Sequence, residues 1–559
     1  MFMEKNIMAT QEIKIVSSME KCFLDDKISD KKEKNSFVMF KNEKLSFQVV
    51  YSFENVFNDL FDVELGGTLA RYASVKQVAC VPVAYPVRND TRCNSDCIRG
   101  TPGLYPDIIR PLHYNGKVRV IENQLHALWV DIKLNDGADI SDGDLVITLK
   151  GKNISASATA QVHVVNAELP PQKLIHTEWF YTDCIAEAYH TTAFSEKHWK
   201  CIESYIKMAV ENGINMILTP VFTPELDTYI GGERMTTQLV DITVESKDRY
   251  SFNFDKLGRW VDICLKHGVK CFEIPHFFTQ WGANHAPKFV AKVNGRKKKI
   301  FGWETDSMGE EYKCFLSQFI PALVAYMKSK GVDKACYYHV SDEPDMKNFE
   351  RYKACKEIIS PYLKGYNIID ALSHIEFFDT GVLEKPVPSL HKIQDFLDRK
   401  IEGLWAYYCG FSITVESQRM IAQYLFRTRI LGVQLYKYNI EGFLHWGYNF
   451  YHNQRSFDYV DPFGCTDAEY FAPSGDGFLV YPGNNEEAWG SLRLNAMREA
   501  VDDIRALELC ESLCGREYTE KLIADGVDEE LTFSVYPRNN DYLITLREKV
   551  ALAIENKVK

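Results

Sequence analysis

Two adjacent carboxylates, Asp342 and Glu343, follow an apolar stretch and precede a proline in the segment CYYHVSDEPDM, residues 336–346. An acid at the end of a buried strand can donate or accept a proton, and two such acids can take different catalytic roles. In most glycoside hydrolysis the two carboxyl groups are about 5–9.5 Å apart, one protonating the leaving oxygen and one acting as nucleophile or base. Neighbours on an extended strand point to opposite faces, so this pair cannot act in that way unless the strand end bends.

A mechanism in which neither acid is the nucleophile suits adjacent acids better. If a sugar substrate carries a 2-acetamido group, its own carbonyl oxygen attacks the anomeric carbon and the protein supplies no nucleophile. One acid then protonates the leaving group, and its neighbour orients the amide and stabilises the oxazolinium-like intermediate. The structural alternative is a helix start, with Asp342 as the N-cap, Glu343 in the first turn and Pro344 early in the helix. The position of the pair after an apolar run favours catalysis.

The elements that must position these acids change in pattern along the chain. Up to about residue 165 the apolar residues alternate, as in LHALWVDIKL (125–134) and ATAQVHVV (158–165). This alternation predicts antiparallel strands packed in a β-sandwich. The proline pair in NAELPPQK (166–173) indicates a domain boundary. We therefore expect a β-sandwich domain over 1–168 and a second domain over 169–559.

The second domain alternates short apolar runs with amphipathic helical patterns. A helix closed by glycine and followed at once by a buried-strand run is typical of a βα unit. Seven or eight such units in roughly 340 residues favour a (β/α)8 TIM-type barrel with C-terminal helices over an open doubly wound sheet. A long helix is expected over residues 417–438. The chain has no GxGxxG or GxxxxGK[ST] where a strand meets a helix, which argues against nucleotide binding.

The reacting groups of such a barrel lie where strands end and loops begin. The predicted strand ends carry carboxylates, imidazoles, amides and aromatic rings with few cations, which suits a neutral polyhydroxylated ligand and not a phosphorylated one. We expect the substrate to be bound by eight residues: Trp405 or Trp446 against a methyl group, Tyr407 or Tyr448 as donor to an acetamido carbonyl, Asn449, His276 and Gln280 on hydroxyls, and Trp281 as a stacking ring.

Composition excludes several other classes of protein. The formal net charge is −12, and the basic residues are scattered except for the run 296–299, which argues against nucleic acid and against an anionic membrane surface. The histidines show neither HxH nor HExxH spacing, so we expect no metal ion, and no cofactor motif is present. The first sixteen residues lack the apolar core of a signal peptide, and no stretch has the ~18 apolar residues of a membrane span. We therefore expect a cytoplasmic protein without membrane insertion.

Five motifs resemble those of a known family. HVSDEP, followed by FLHWGYNF and SLRLNAMREAVDDIRALE, is similar to glycoside hydrolase family 123, the β-N-acetylgalactosaminidases. PGLYPD and LWVDIKL are similar to the N-terminal sandwich of that family, so the resemblance covers nearly the whole chain. It implies an exo-acting enzyme that releases terminal β-linked N-acetylgalactosamine from glycans or glycolipids by a retaining, substrate-assisted mechanism. It also implies that Glu343 is the general acid/base and that Asp342 holds the acetamido group.

The residues themselves leave two other interpretations open. In the first, the protein is an ordinary retaining glycosidase in which Glu343 is the acid and Glu273, from the preceding predicted strand, is the nucleophile. Such an enzyme would act on sugars that lack the acetamido group. In the second, the barrel binds carbohydrate without catalysis, and the two acids only bind hydroxyls.

Overall fold

The N-terminal part of the chain is built from β-strands. The computed structural model describes residues 11–54, 56, 58–87, 97–113, 115–135, 137–138, 140–410 and 415–558. The strands described before residue 168 are β1 (Gln11–Ser17), β2 (Ser36–Phe40), β3 (Lys44–Phe53), β4 (Asn58–Gly66), β5 (Ala73–Val83), β6 (Gly103–Arg110), β7 (Lys117–Ile121), β8 (His126–Lys133), β9 (Asp142–Lys150) and β10 (Ser155–Val165).

These strands form two sheets that pack face to face. One contains β1, β3, β8, β5 and β6 in that order, and the other contains β2, β10, β9, β4 and β7. Phe47, Leu128 and Val130 of the first sheet and Ile147 and Val162 of the second are buried together between the two sheets. The pairs are antiparallel except for β2 with β10, which run parallel. The expected N-terminal antiparallel sheets are thus confirmed, apart from this one pair.

The strands described after residue 168 are β11 (Ile175–Glu178), β12 (Met216–Leu218), β13 (Asp241–Ser246), β14 (Arg249–Asn253), β15 (Cys271–Ile274), β16 (Phe289–Val293), β17 (Arg296–Phe301), β18 (Cys336–Tyr338), β19 (Asn367–Ala371), β20 (Lys385–Val387), β21 (Trp405–Tyr407), β22 (Gly442–His445), β23 (Tyr481–Pro482) and β24 (Ala488–Ser491). The helices are α1 (Thr182–Ala188), α2 (Glu196–Glu211), α3 (Asp255–His267), α4 (Glu310–Ser329), α5 (Phe349–Ile359), α6 (Glu376–Asp379), α7 (Ile393–Asp398), α8 (Phe426–Lys437), α9 (Leu492–Cys514), α10 (Arg516–Ala524) and α11 (Asn540–Val558).

Eight parallel strands form a nearly closed barrel. Their order is β20, β19, β18, β15, β12, β11, β22, β21, and a single parallel bridge between Ser389 and Tyr407 joins the two ends of this row. At least one helix follows each strand along the chain, but α6 and α7 have only four and six residues. The eight-stranded parallel barrel is confirmed, with helices of very unequal length.

Local sequence explains why strands and helices alternate here. Helix α3 ends at Gly268, whose φ of 96° lies in the left-handed region that glycine adopts without a steric cost. Strand β15 begins three residues later at Cys271. The three residues of β12 and of β18 are all buried, which is why they appear in the sequence as short, mostly apolar runs rather than alternating ones.

The helix expected over 417–438 is shorter than the pattern indicates, because α8 begins only at Phe426. Just before it, the fully buried Arg419 donates to the Glu178 carboxylate at 2.6 Å and to the carbonyl oxygen of Gly447 at 2.5 Å. These contacts with distant parts of the chain take the place of helical hydrogen bonds. A local periodicity cannot reveal them.

The two parts of the chain share one sheet and several buried ion pairs. Strand β24 pairs antiparallel with β6 and so extends the first N-terminal sheet. Asp107 on β6 accepts two hydrogen bonds from Arg493 on α9, at 2.9 and 2.8 Å, and both side chains are fully buried. The division at residue 168 stays a prediction, and the segments on either side of it pack closely. Within the described residues, no helix is long and apolar enough to cross a membrane.

Candidate functional site

A pocket of about 650 Å³, counting the open space at its mouth, lies at the carboxyl ends of the barrel strands. Its wall combines aromatic rings with three carboxylates, those of Asp227, Asp342 and Glu343. No lysine or arginine is among the described residues that line it. Concave sites of this size, mostly apolar with a few converging polar groups, are typical of small-molecule binding.

Backbone hydrogen bonds on both sides hold the two adjacent acids in place. Strand β18 ends at Tyr338, and the chain continues alongside the loops that follow its two neighbours in the barrel. On one side, the Trp281 N–H donates to the carbonyl oxygen of Asp342 at 3.2 Å. On the other, the Glu343 N–H donates to the carbonyl oxygen of Ala371 at 3.1 Å. The pair is therefore fixed between the loops after β15 and the end of β19.

The strand end bends at the second acid. Glu343 has a φ of 43°, in the left-handed region that costs a residue other than glycine about 1–2 kcal/mol. The bend breaks the alternation of an extended strand, so Asp342 and Glu343 both line the same pocket. The helix-start alternative is wrong, because the N-cap is Asp345, whose side chain accepts from the Lys347 N–H at 2.9 Å.

Burial and neighbouring negative charge act together on Asp342. Its side chain is only 9% exposed. Burial, followed by the charges of Glu343 and Asp370, raises the pKa of Asp342 well above its usual range. A hydrogen-bond donor bound to Asp342 would favour its ionised form.

A buried histidine lies beneath the pair, between two further acids. His339 bonds through Nδ1 to Asp370 at 3.0 Å and through Nε2 to Glu273 at 2.8 Å. Burial opposes the imidazolium, but these hydrogen bonds and charges outweigh it and raise the pKa of His339 to about 10. The positive charge of His339 in turn favours ionised Asp342. The motif that contains the acid pair thus also carries its counter-charge, three residues upstream, which the sequence analysis missed.

Glu273 is poorly placed to be a nucleophile. It is fully buried and does not line the pocket. One carboxylate oxygen accepts from the Trp179 indole N–H at 2.8 Å and bonds to His339, and the other accepts from the Thr177 hydroxyl. A carboxylate with both oxygens engaged beneath the pocket positions its partners, so the geometry does not favour the Glu273 alternative.

Two aromatic residues on the pocket wall are held by carboxylates. The Tyr407 hydroxyl donates to Glu343 Oε1 at 2.5 Å. Burial and the charge of Glu343 raise the pKa of Tyr407 well above its usual range, so the phenol remains a donor. The Trp446 indole N–H donates to Asp476 at 3.2 Å, which fixes the ring at the wall.

Gln280 also lines the pocket, but its amide is used by the neighbouring loop. Its Oε1 accepts from the Asp227 N–H at 2.7 Å, and its Nε2 donates to the carbonyl oxygen of Thr228 at 3.4 Å. These bonds leave at most one amide hydrogen for a ligand. Gln280 therefore acts chiefly on the position of Asp227.

Six of the ten predicted site residues meet at this pocket, namely Asp342, Glu343, Gln280, Trp281, Tyr407 and Trp446. The other four do not line it, and the geometry does not support them as direct sugar contacts. Trp405 is fully buried over Gly442, a residue whose missing side chain makes room for the ring. His276 packs against His339 at 4.3 Å between ring centres.

Tyr448 and Asn449 are fully buried as well. The Tyr448 hydroxyl donates to the carbonyl oxygen of Tyr205 at 2.9 Å. The Asn449 amide exchanges two hydrogen bonds, both 2.9 Å, with the backbone of Tyr181. Asn449 therefore orients a pocket residue instead of lining the pocket.

The pocket includes eight described residues that the sequence analysis did not assign: Trp179, Tyr181, Leu226, Asp227, Ala371, Cys409, Leu444 and Phe471. Trp179 directly follows β11 and so stands at a predicted strand end, but it was given no role in substrate binding. Asp227 and Phe471 belong to long loops, where no periodicity indicates which side chains turn inward.

Two groups of side chains are close enough together to hold a metal ion, but neither fits one. In the first, His339 has both ring nitrogens bonded to carboxylates, so it offers no lone pair. In the second, Asp183 accepts two hydrogen bonds from Arg234, whose positive charge opposes a cation. Both groups are better described as hydrogen-bond networks.

The chain was compared with known proteins. The family model described as "Glycoside hydrolase 123, catalytic domain" matches residues 179–510, more than half of the chain. Among solved structures, a family 123 glycoside hydrolase from Clostridium perfringens, studied for glycolipid glycan hydrolysis, is 16% identical, with a TM-score of 0.72 over 98% of each chain. At this identity the likeness shows the fold alone.

Two other structures are far more distant. The β-glucuronidase of Parabacteroides merdae is 10% identical over 85% of this chain and 50% of its own, with a TM-score of 0.28. The endo-β-1,4-mannanase of Thermotoga petrophila is 13% identical over 61% and 78%, with a TM-score of 0.33. These scores are too low to carry an argument. The comparison with curated proteins found no match.

Proposed function

Because this chain belongs to glycoside hydrolase family 123 and is a glycoside hydrolase, we propose that it releases β-linked N-acetylgalactosamine from the non-reducing ends of glycans or glycolipids. We assign its catalytic part to the (β/α)8 class, with irregular helices. The Clostridium perfringens relative, studied for glycolipid glycan hydrolysis, supports a glycan or glycolipid substrate.

The proposed reaction is substrate-assisted and retaining. Asp342 accepts a hydrogen bond from the acetamido N–H and so orients the carbonyl oxygen toward C1. That oxygen forms a bond to C1 while the bond from C1 to the glycosidic oxygen breaks and Glu343 gives its proton to the leaving oxygen. Glu343 then takes a proton from a water molecule that opens the oxazolinium at C1. The two inversions at C1 give net retention.

The observation that carries this proposal is the bent strand end, which brings two adjacent carboxylates to one pocket wall. No lysine or arginine among the described lining residues neutralises them, and Glu273 is engaged beneath the wall. Ionised Asp342 stabilises the oxazolinium charge, and the charge on His339 favours that ionised form. A carboxylate in this position, beside a second acid, suits substrate-assisted chemistry better than direct attack on C1.

The test is hydrolysis of three aryl glycosides that differ only in the sugar: β-N-acetylgalactosaminide, β-N-acetylglucosaminide and β-galactoside. We expect kcat/KM to be highest for the first and about 10³-fold or more lower for the β-galactoside, since that sugar supplies no internal nucleophile. NMR of the first-formed product should show the β-anomer. Equal rates on the β-galactoside and the β-N-acetylgalactosaminide would remove the basis of the proposal.

A further inference from the structure

Asp227 is a third carboxylate on the pocket wall, and it has no part in the chemistry described above. It lies on the long loop after β12, beside Leu226, which also lines the pocket. Its Oδ2 accepts from the backbone N–H of Arg455 at 3.1 Å. Its carbonyl oxygen accepts from the Ser456 hydroxyl at 2.8 Å. Two loops from different barrel strands thus meet at this one residue.

The backbone around this junction is held in conformations that cost energy. Asp227, Arg455 and Ser456 have φ values of 50°, 60° and 54°, all in the left-handed region. Such residues are maintained when the surroundings determine them, and they are concentrated at functional sites. Arg234 contributes to the restraint, since it donates to the carbonyl oxygen of Leu226 at 3.0 Å. The carboxylate is therefore placed by a rigid junction.

The other oxygen of this carboxylate is available to a ligand. In the described part of the chain, Oδ1 of Asp227 has no hydrogen-bond partner, while Oδ2 is fixed by Arg455. Burial raises the pKa of Asp227 to about 7, although the Arg455 N–H and the charges of Arg234 and Arg455 act against this shift. A partly buried acid with one unpaired oxygen is expected to have a polar partner when the site is filled.

The backbone contacts of the three acids give their order around the pocket. Glu343 contacts the end of β19 through its N–H. On the other side, the carbonyl oxygen of Asp342 and the N–H of Asp227 are both bonded to the loop after β15, at Trp281 and Gln280 respectively. The barrel order β19, β18, β15, β12 therefore places Asp342 between the other two acids.

This order corresponds to successive positions on a sugar ring. If Glu343 reaches the glycosidic oxygen on C1 and Asp342 reaches the nitrogen on C2, the next acid faces the hydroxyls on C3 and C4. We propose that Asp227 is a specificity-determining residue whose Oδ1 accepts a hydrogen bond from the C3 or C4 hydroxyl of the terminal sugar. The proposal rests on the proposed function, because that function fixes the roles of the other two acids.

The test measures kcat/KM for Asp227→Asn with an aryl β-N-acetylgalactosaminide and its 3-deoxy and 4-deoxy analogues. Asparagine keeps the size of the side chain and an oxygen for the Arg455 N–H. A hydrogen bond from a sugar hydroxyl to a carboxylate is worth roughly 10- to 100-fold in binding. We expect a loss of this size on the parent substrate, and a loss under about 3-fold on the analogue that lacks the bound hydroxyl.

Ser456→Ala is the matched control, because it removes a bond to the Asp227 backbone and leaves the carboxylate unchanged. We expect this variant to change kcat/KM for all three substrates by the same small factor. If Asp227→Asn slows all three substrates equally, the carboxylate positions the loop or acts on C1, and the hydroxyl assignment is overturned. Wild-type rates for Asp227→Asn on the parent substrate would overturn it as well.

Binding of free N-acetylgalactosamine, measured by calorimetry, separates this proposal from the proposed function. If the wild type hydrolyses the parent substrate and Asp227→Asn binds the free sugar as tightly as the wild type does, only the role of Asp227 is contradicted. A wild-type protein that binds the sugar more than 10-fold better than the variant, but does not hydrolyse its glycosides, contradicts the function and supports the contact. If the wild-type protein neither binds the sugar nor hydrolyses its glycosides, both proposals are contradicted.

Discussion

Two buried carboxylates of the same barrel have opposite surroundings. Glu178 at the end of β11 is fully buried against Arg419, and that charge, with a hydrogen bond from His176, overcomes the effect of burial and lowers its pKa to about 2. Asp342, beyond the end of β18, is nearly as buried, but the charge that acts on it most strongly is that of another acid, Glu343, and burial together with this charge raises its pKa.

The difference separates acids that hold the fold from acids that do chemistry. When a buried acid is paired with arginine, removing one partner destabilises the fold strongly, because the other charge is left buried and uncompensated. A buried acid beside another acid costs stability in the folded chain itself, and such costs are concentrated at functional sites. The surroundings of Asp342 and Glu343 are therefore those expected of a functional site.

The largest expected effect is on the paired acid. Glu178→Gln leaves the Arg419 guanidinium buried without its counter-charge, and we expect a loss of about 3–5 kcal/mol in the free energy of unfolding at pH 7, measured by urea titration. A depressed pKa contributes stability above the unfolded value of about 4.5, and this contribution is lost as pH falls toward 2. The difference from wild type should therefore shrink in acid. A loss below about 1 kcal/mol would show that this pair does not hold the barrel.

Asp342→Asn should have the opposite effect on stability and a large effect on rate. We expect kcat to fall by about 10²-fold or more, because the oxazolinium loses its stabilising charge. A carboxyl group whose pKa is raised in the folded state costs stability once the pH exceeds its unfolded pKa of about 3.9. The free energy of unfolding of the variant should therefore exceed that of the wild type by on the order of 1 kcal/mol at pH 8 and equal it near pH 3. Activity assays and thermal unfolding at both pH values check this. A destabilised variant would show that Asp342 is a structural acid like Glu178.

His339→Gln tests the charge beneath the pair. Without the imidazolium, the pKa of Asp342 should rise further, so the acidic limb of the kcat profile should move to higher pH and kcat at pH 6 should fall about tenfold. For the wild type, a histidine pKa raised to about 10 contributes stability that is complete below pH 6.5 and lost as pH rises toward 10. An unchanged pH–rate profile would show that His339 contributes only to packing.

The smallest expected effect distinguishes two tyrosines that the sequence treats alike. Tyr407→Phe removes the donor to Glu343, and we expect a loss of about tenfold in kcat/KM. Tyr448→Phe removes a bond to a buried carbonyl oxygen and should change kcat/KM by less than about 2-fold while lowering stability by about 1 kcal/mol. The reverse order of effects on rate would mean that Tyr448 contacts the substrate.

The strand pattern was predictable because it is local. Alternation along β10 and the glycine after α3 each indicate an element without knowledge of the rest of the chain. The adjacent acids were predictable because strand ends concentrate reacting groups. The bend at Glu343 was not, since a left-handed glutamate has no sequence signature.

The site was only partly predictable, because the strand-end rule does not say which side chains reach the pocket and which are buried beneath it. Trp405 and Tyr407 lie two residues apart on β21, yet Trp405 fills the space over Gly442 while Tyr407 reaches the pocket. Asp227 and Phe471, which lie far along their loops from the strand ends, had no signal at all. Asp227 enters the pocket because Gln280 and the hydroxyl of Ser456, from a distant loop, fix its backbone, and such contacts appear only in three dimensions.

The central claim is that Glu343 protonates the leaving oxygen while Asp342 stabilises the oxazolinium, and leaving-group dependence tests it most directly. The measurement is kcat/KM for wild type and Glu343→Gln with a dinitrophenyl and an alkyl β-N-acetylgalactosaminide. We expect the variant to stay within about tenfold of wild type on the dinitrophenyl substrate, which needs little protonation, and to fall by about 10³-fold or more on the alkyl substrate. An equal loss on both would contradict the assignment of Glu343 as the general acid.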